Sequence, residues 1–135
     1  LNREPKVKSA ENAITGRRLR GQVEFRNVSF SYGRTQVLED ISFTASPGQT
    51  IAIIGPTGSG KSTLVSLISR FYDCTKGELL IDGRNIKDYD VRQLRADIAV
   101  AMQDIFLFSD TIEGNIAYGV PEIPFDKVEW AANMA

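Results

Sequence analysis

The chain has 135 residues, 42% hydrophobic and 24% charged, with one Cys, no His and a formal net charge of −1. That length can bury a core without disulfides or structural metal, and the single Cys74 excludes both an intrachain disulfide and a Cys/His zinc cluster. Lack of His removes Ser/His/Asp and Cys/His nucleophilic catalysis from this polypeptide taken alone, and the near-neutral charge gives no nucleic-acid footprint.

Residues 1–20 carry Arg3, Lys6, Lys8, Arg17, Arg18 and Arg20 against Glu4 and Glu11, so they are net +4 while the remainder is −5. They show neither helical nor alternating periodicity, which predicts a basic linker or extended arm, with a domain over 21–135. The first residue is Leu1 and no apolar leader follows it, so the expectation is a segment excised from a longer protein. The longest apolar runs, Ile51 to Ile54 and Ile98 to Met102, fall far short of the roughly 18 residues of a membrane span.

From Gln22 the run VEFRNVSFSY alternates, with a change of phase at Arg26-Asn27, and predicts a strand with a bulge. A turn at Gly33-Arg34 leads into a second alternating run, Val37 to Ala45, which reads as its antiparallel partner. After Pro47-Gly48, the short β-branched run Thr50 to Ile54 reads as a strand buried on both faces. Leu64, Leu67, Ile68 and Phe71 recur at helical spacing and predict a helix from Lys61 to about Tyr72.

Further along, a strand is predicted from Glu78 to Ile81, a turn at Asp82-Gly83, a short helix opened by Asp90 and a strand from Ile98 to Met102. Pro121 and Pro124 mark a loop, and Asp126 with Glu129 has the spacing of a capping box for a helix through Trp130.

Between the predicted strand at Thr50–Ile54 and the predicted helix stands Gly55-Pro56-Thr57-Gly58-Ser59-Gly60-Lys61-Ser62, the pattern G-x-x-x-x-G-K-[ST] of a phosphate-binding loop. Glycines let successive backbone N–H groups approach phosphate oxygens, and the helix adds the positive end of its dipole. Lys61 would meet the β and γ phosphates as a point charge, the Ser62 hydroxyl would ligate Mg²⁺, and Thr63 is the neighbouring hydroxyl. Strand, Gly-rich loop and helix in that order predict an α/β P-loop NTPase core carrying an antiparallel β subdomain.

Around this loop the chain resembles the nucleotide-binding domain of ATP-binding cassette (ABC) transporters of the exporter type, from Gly21 to the end. VSFSY, ending at Tyr32, resembles the family's A-loop, which implies that Tyr32 stacks on the adenine of ATP. On position alone Tyr32 is a strand residue facing the core. IAVAMQD is similar to the segment ending in the family's Q-loop, which implies that Gln103 touches Mg²⁺ and the attacking water. IFLFSDTIEGNIAYG continues it and implies a surface from Gln103 to Gly119 facing a transmembrane domain. Within it Phe106, Leu107 and Phe108 are either exposed apolar contacts or core residues.

The run Leu79-Leu80-Ile81-Asp82 superficially mimics a Walker B strand, but Asp82 precedes Gly83 where the family has a catalytic Glu, so a hairpin turn is expected. The family's signature sequence, Walker B strand, D-loop and switch His have no counterpart in these residues. The resemblance therefore implies an incomplete fold that ends at the start of the helical subdomain. It implies nucleotide binding at best for this segment, with ATP hydrolysis, head-to-tail dimerisation with a second nucleotide-binding domain and coupling to export as properties of a parent at the cytoplasmic face of a membrane. An ABC-type ATPase of DNA repair or chromosome maintenance, and a non-hydrolytic nucleotide-binding module, are the alternatives. Nucleic acid is not an expected partner of the exporter.

Overall fold

The computed structural model describes residues 7–16, 18–101, 106–120 and 122–135. They fall into two compact units, Leu1–Ala99 and Val100–Ala135.

The first unit is built on a four-stranded antiparallel sheet in the order β2-β1-β3-β4, from β1 (Val23–Tyr32), β2 (Thr35–Ala45), β3 (Lys76–Ile81) and β4 (Arg84–Asn85). The β1–β2 hairpin pairs Val23 with Ala45, Phe25 with Phe43 and Tyr32 with Thr35, and its register shifts between Phe25 and Val28, where the sequence changes phase. Asn27 takes φ 48° there. Its backbone N–H donates to Ser42 Oγ at 2.8 Å and its side chain to Asp40 Oδ1 at 2.8 Å, so the bulge is held by side chains of the partner strand. β3 lies on the other side of β1, and Gly77 sits so close to it that a Cβ would run into the carbonyls of Arg26 and Asn27. At φ +75° only glycine meets both demands without strain.

One face of this sheet forms the core: Phe25, Val28, Phe30, Leu38, Leu79 and Ile81 bury against Leu64 and Leu67 of helix α1 (Lys61–Ile68) and Leu94 of helix α2 (Val91–Ala96). Asp90 opens α2 as expected, its carboxylate accepting the N–H groups of Arg92 and Gln93. The turn at Asp82-Gly83 joins β3 to β4.

Helix α1 stops at Ile68 rather than near Tyr72. The N–H of Phe71 returns to Ser66 O and that of Arg70 to Leu67 O, both at 2.9 Å, with Arg70 at φ 50°. This is a Schellman stop, and Arg70 occupies the left-handed position where glycine is usual. Its guanidinium, 3% exposed, donates to Asp73 Oδ1, Tyr89 O and Lys8 O, which holds the unfavourable backbone in place. Arg95 of α2 donates to the carbonyls of Ser69 and Arg70, tying the same helix end to α2.

The described part of the basic arm lies along this unit. Ile14 makes a parallel bridge to Tyr89, with its N–H on Asp88 O and its carbonyl taking the N–H of Asp90. Leu19 donates to Asp97 Oδ2, and Arg20 and Gln22 donate to the two oxygens of Asp82.

Two predicted strands are not formed. Thr50–Ile54 carries no ladder, and Ile54 is 94% exposed rather than buried on both faces. Ile98–Ala101 is likewise unpaired, and Met102 lies outside the described residues. A run rich in β-branched residues becomes a strand only with a neighbour at hydrogen-bonding distance, and among the described residues none lies beside either run.

In the second unit, Thr111 caps helix α3 (Ile112–Ile116) by accepting the N–H of Gly114. The Asn115 side chain accepts from Phe108 N and donates to the carbonyls of Phe108, Asp110 and Thr111, closing the loop before α3. Phe108 stacks on Tyr118 with centroids 4.0 Å apart, and Phe106, Leu107 and Phe108 are all exposed rather than in the core. Helix α4 (Phe125–Met134) starts from Pro124 with no side-chain cap, so the expected Asp126–Glu129 capping box is not made and Asp126 lies in the first turn. Pro121 is outside the described residues. No described helix is long and apolar enough to cross a membrane.

Candidate nucleotide site

The Gly-rich stretch is an exposed loop from Gly55 to Ser59 that enters α1 through Gly60. Gly60 is the N-cap residue at φ 89°, a left-handed conformation that turns the chain into the helix, and no side chain caps the end. Helix geometry leaves the first amides of α1, from Lys61 onward, without an intrahelical acceptor. Uncapped N–H groups and the dipole's positive end therefore coincide on an exposed loop.

The rest of the loop is closely packed. The Ser59 N–H donates to Pro56 O at 3.2 Å, and a Cβ on Gly55 would lie 2.6 Å from Ser59 Oγ. Beneath Gly60 stands β2: a Cβ there would come within 2.7 Å of Leu38 Cδ2 and 3.1 Å of Val37 O. The antiparallel sheet thus supports the loop directly, and any side chain at Gly60 would push the two apart.

Lys61 Nζ donates to Gly55 O at 2.8 Å and Pro56 O at 2.7 Å, folding over the loop, and among the described residues it is paired with no carboxylate. Ser62 is exposed at the helix entrance, whereas Thr63 is buried. Backbone amides, an ammonium and an exposed hydroxyl form the donor set that a phosphate group with a hard divalent cation requires, so the residues present fit such a ligand. Among the described residues no group of His, Cys, Asp or Glu is arranged to hold a metal by itself.

Tyr32 ends β1 with its ring 43% exposed, half outside the core that its place in an alternating strand suggested. It meets Phe30 edge-on at 4.8 Å and Tyr72 edge-on at 5.1 Å. Tyr72 follows the stop of α1, so one helix leads from the Gly-rich loop at its start to this aromatic cluster past its end. Gln103 lies outside the described residues.

Asp82 does not belong to the site. It sits at φ 50° in the β3–β4 turn with both carboxylate oxygens accepting N–H groups, from Arg20 at 2.7 Å and Gln22 at 3.0 Å. That is a turn residue, as its following Gly83 suggested, and it also anchors the arm, which the sequence did not suggest.

Reasoning from the sequence did not find Val37, Leu38, Tyr72 or Arg95. Val37 and Leu38 read as ordinary strand residues, and Tyr72 read as the last turn of a helix.

Over residues 38–135 the chain matches the family model described as ABC transporter. It is 50% identical over 126 residues to the YgaD protein of Bacillus subtilis, covering 92% of this chain and 22% of that protein. It is 46% identical over 128 residues to the ATP-dependent lipid A-core flippase of Pseudomonas aeruginosa, covering 93% of this chain and 21% of that protein. A solved structure of a bacterial Atm1-family ABC exporter with ATP bound superposes with a TM-score of 0.87 at 41% identity, covering 94% of this chain and 23% of that one. The chain spans about a fifth of the length of the curated relatives it matches. With the model covering most of the chain and the exporter superposing over nearly all of it, this chain belongs to the ABC transporter family and has the fold of part of an exporter's nucleotide-binding domain.

Proposed function

We propose that this chain is the MgATP-binding part of the motor domain of an ABC exporter, within a protein that couples ATP binding and hydrolysis to export. The observation that carries the reading is the uncapped start of α1 behind Gly60, with Lys61 folded over an exposed Gly-rich loop.

In this proposal the loop from Gly55 to Gly60 wraps the phosphates, and the free backbone N–H groups of the loop and of Lys61, Ser62 and Thr63 at the start of α1 receive the phosphate oxygens. Lys61 exchanges its two loop carbonyls for the β and γ phosphates, and Ser62 ligates Mg²⁺. Bound Mg²⁺ supplies charge neutralisation across the two terminal phosphates. Tyr32 offers a half-exposed ring face to the adenine, a contact that accepts any base and adds affinity more than specificity. Gln103 positions water and Mg²⁺ without adding charge.

Phe106 and Leu107, both exposed, and the rest of the segment to Gly119 form the surface for a transmembrane domain of the same or a partner chain at the cytoplasmic face of a membrane. A second nucleotide-binding domain completes the sites head to tail. The unpaired runs Thr50–Ile54 and Ile98–Ala101 take their places in the parallel sheet when further strands of the domain are present. A base for water activation is not among the residues assembled at the loop, so efficient hydrolysis belongs to the complete domain.

The test is Lys61→Ala in the intact polypeptide that carries these residues, read by equilibrium binding of MgATP. The expected result is loss of most of the affinity, because the phosphates lose their main side-chain counterion. Unchanged affinity overturns the phosphate-loop assignment.

A further inference from the structure

We infer that Tyr72 is a positioning residue for the base half of the site: it holds the Tyr32 ring in the orientation in which one face is open to the base. The inference rests on the proposed stacking role of Tyr32.

Three rings form a closed triangle. Phe30 and Tyr32 are 4.8 Å apart at 90°, Tyr32 and Tyr72 5.1 Å apart at 89°, and Phe30 and Tyr72 5.5 Å apart at 50°. Both neighbours stand perpendicular to the Tyr32 ring, the edge-to-face arrangement that aromatic quadrupoles favour. Phe30 is buried in the core, where packing on every side fixes its rotamer. Tyr32 stands one residue before the Gly33-Arg34 turn, where strand pairing alone leaves a side chain free to change rotamer.

Tyr72 is itself on a pinned segment. The Schellman hydrogen bonds fix Arg70 and Phe71, the Arg95 guanidinium lies over the Phe71 ring at 4.7 Å, and Arg70 Nε binds Asp73 on the far side of Tyr72. The loose ring of the triangle is therefore Tyr32, and its two supports come from the core and from the stop of α1. Since α1 begins at Lys61 and is about 12 Å long, one short rigid element sets both ends of the ligand site. A ring held in place before binding loses less rotamer freedom when the base arrives, which appears as affinity for ligands that carry a base and not for those that lack one.

The experiment compares affinities for MgATP and for magnesium tripolyphosphate, which has no base, in the intact polypeptide carrying Tyr72→Leu, Tyr72→Phe, Tyr32→Leu or both Leu changes. Tyr72→Leu is expected to weaken MgATP roughly three- to tenfold, the scale of one edge-to-face pair, with tripolyphosphate unchanged. Tyr72→Phe keeps the ring and stays near wild type, and adding Tyr72→Leu to Tyr32→Leu has little further effect. If Tyr32→Leu weakens MgATP while Tyr72→Leu does not, the positioning role is overturned and the stacking reading stands. If Tyr32→Leu leaves MgATP binding unchanged, the stacking reading fails and the role of Tyr72 falls with it. Equal losses on both ligands, or a full Tyr72→Leu effect without Tyr32, assign Tyr72 to general stability and also overturn the proposal. Should circular dichroism show Tyr72→Leu unfolded, Tyr72→Met, which keeps bulk without a ring, carries the same comparison.

Discussion

Two stretches of the first unit read as strands in the sequence and have opposite fates. The β1–β2 hairpin is paired, with a bulge, around a two-residue turn, while Thr50–Ile54 stays unpaired a few residues after β2 ends. The hairpin's partner is its neighbour in sequence, so pairing requires only the closing of Gly33-Arg34. A strand of a parallel sheet gets its partner through a crossover of a dozen or more residues, and its apolar composition cannot supply that partner. Composition therefore marks where a strand is wanted, and connectivity decides whether one forms.

Phe25, 1% exposed and stacked on Phe43 at 4.6 Å, anchors the paired sheet, so Phe25→Ala should cost about 3–5 kcal/mol in urea denaturation. Ile54→Ala should change the stability of the same chain by less than about 0.5 kcal/mol, because nothing is buried there to lose. Comparable losses at both positions would show that Thr50–Ile54 is packed after all.

A smaller effect sharpens the paired side. Gly77→Ala adds a Cβ toward the carbonyls of β1 at a positive φ, and should destabilise by more than about 1 kcal/mol with a measurable loss of amide protection in Phe25 and Leu79. Neutral behaviour would mean that β1 and β3 are not closely apposed.

The smallest expected effect lies at the arm. The Asp90 carboxylate is held below its ordinary range, first by the Gln93 N–H, then by the Ser9 hydroxyl and the Arg92 N–H. A carboxylate whose folded value is lowered adds stability that is complete at neutral pH and is lost as pH falls from about 4 through the lowered value. The gap in urea midpoint between wild type and Asp90→Ala should therefore narrow on acidification. A gap independent of pH would show that the ionised form is not what the cap and Ser9 prefer.

Much of the site was legible in residues alone. Gly55 to Ser62 has a spacing that few other functions require, and the coincidence of glycine, lysine and hydroxyl at the start of a helix follows from local backbone geometry. The bulge at Arg26-Asn27, the Asp90 cap and the turn at Asp82-Gly83 were legible for the same reason, since each is made within a few residues. The end of α1 was not, because the usual glycine is replaced by Arg70, whose left-handed backbone depends on three partners between 3 and 62 residues away in the chain. Nor was the bracing of Gly60 by Val37 and Leu38, or that of Tyr32 by Tyr72, which brings together residues 40 positions apart.

Residue order alone determined the hairpin, the Gly-rich loop and the helix behind it, because turn chemistry, periodicity and the P-loop pattern act over short spans. Tertiary structure alone decided where that helix stops, that residues of the basic arm lie against the aspartates of the turn and of the α2 cap, which rings meet Tyr32, and that Thr50–Ile54 stays unpaired. Each of these depends on groups distant in the chain meeting at hydrogen-bond or van der Waals distance, and residue order specifies such meetings only through the complete set of contacts.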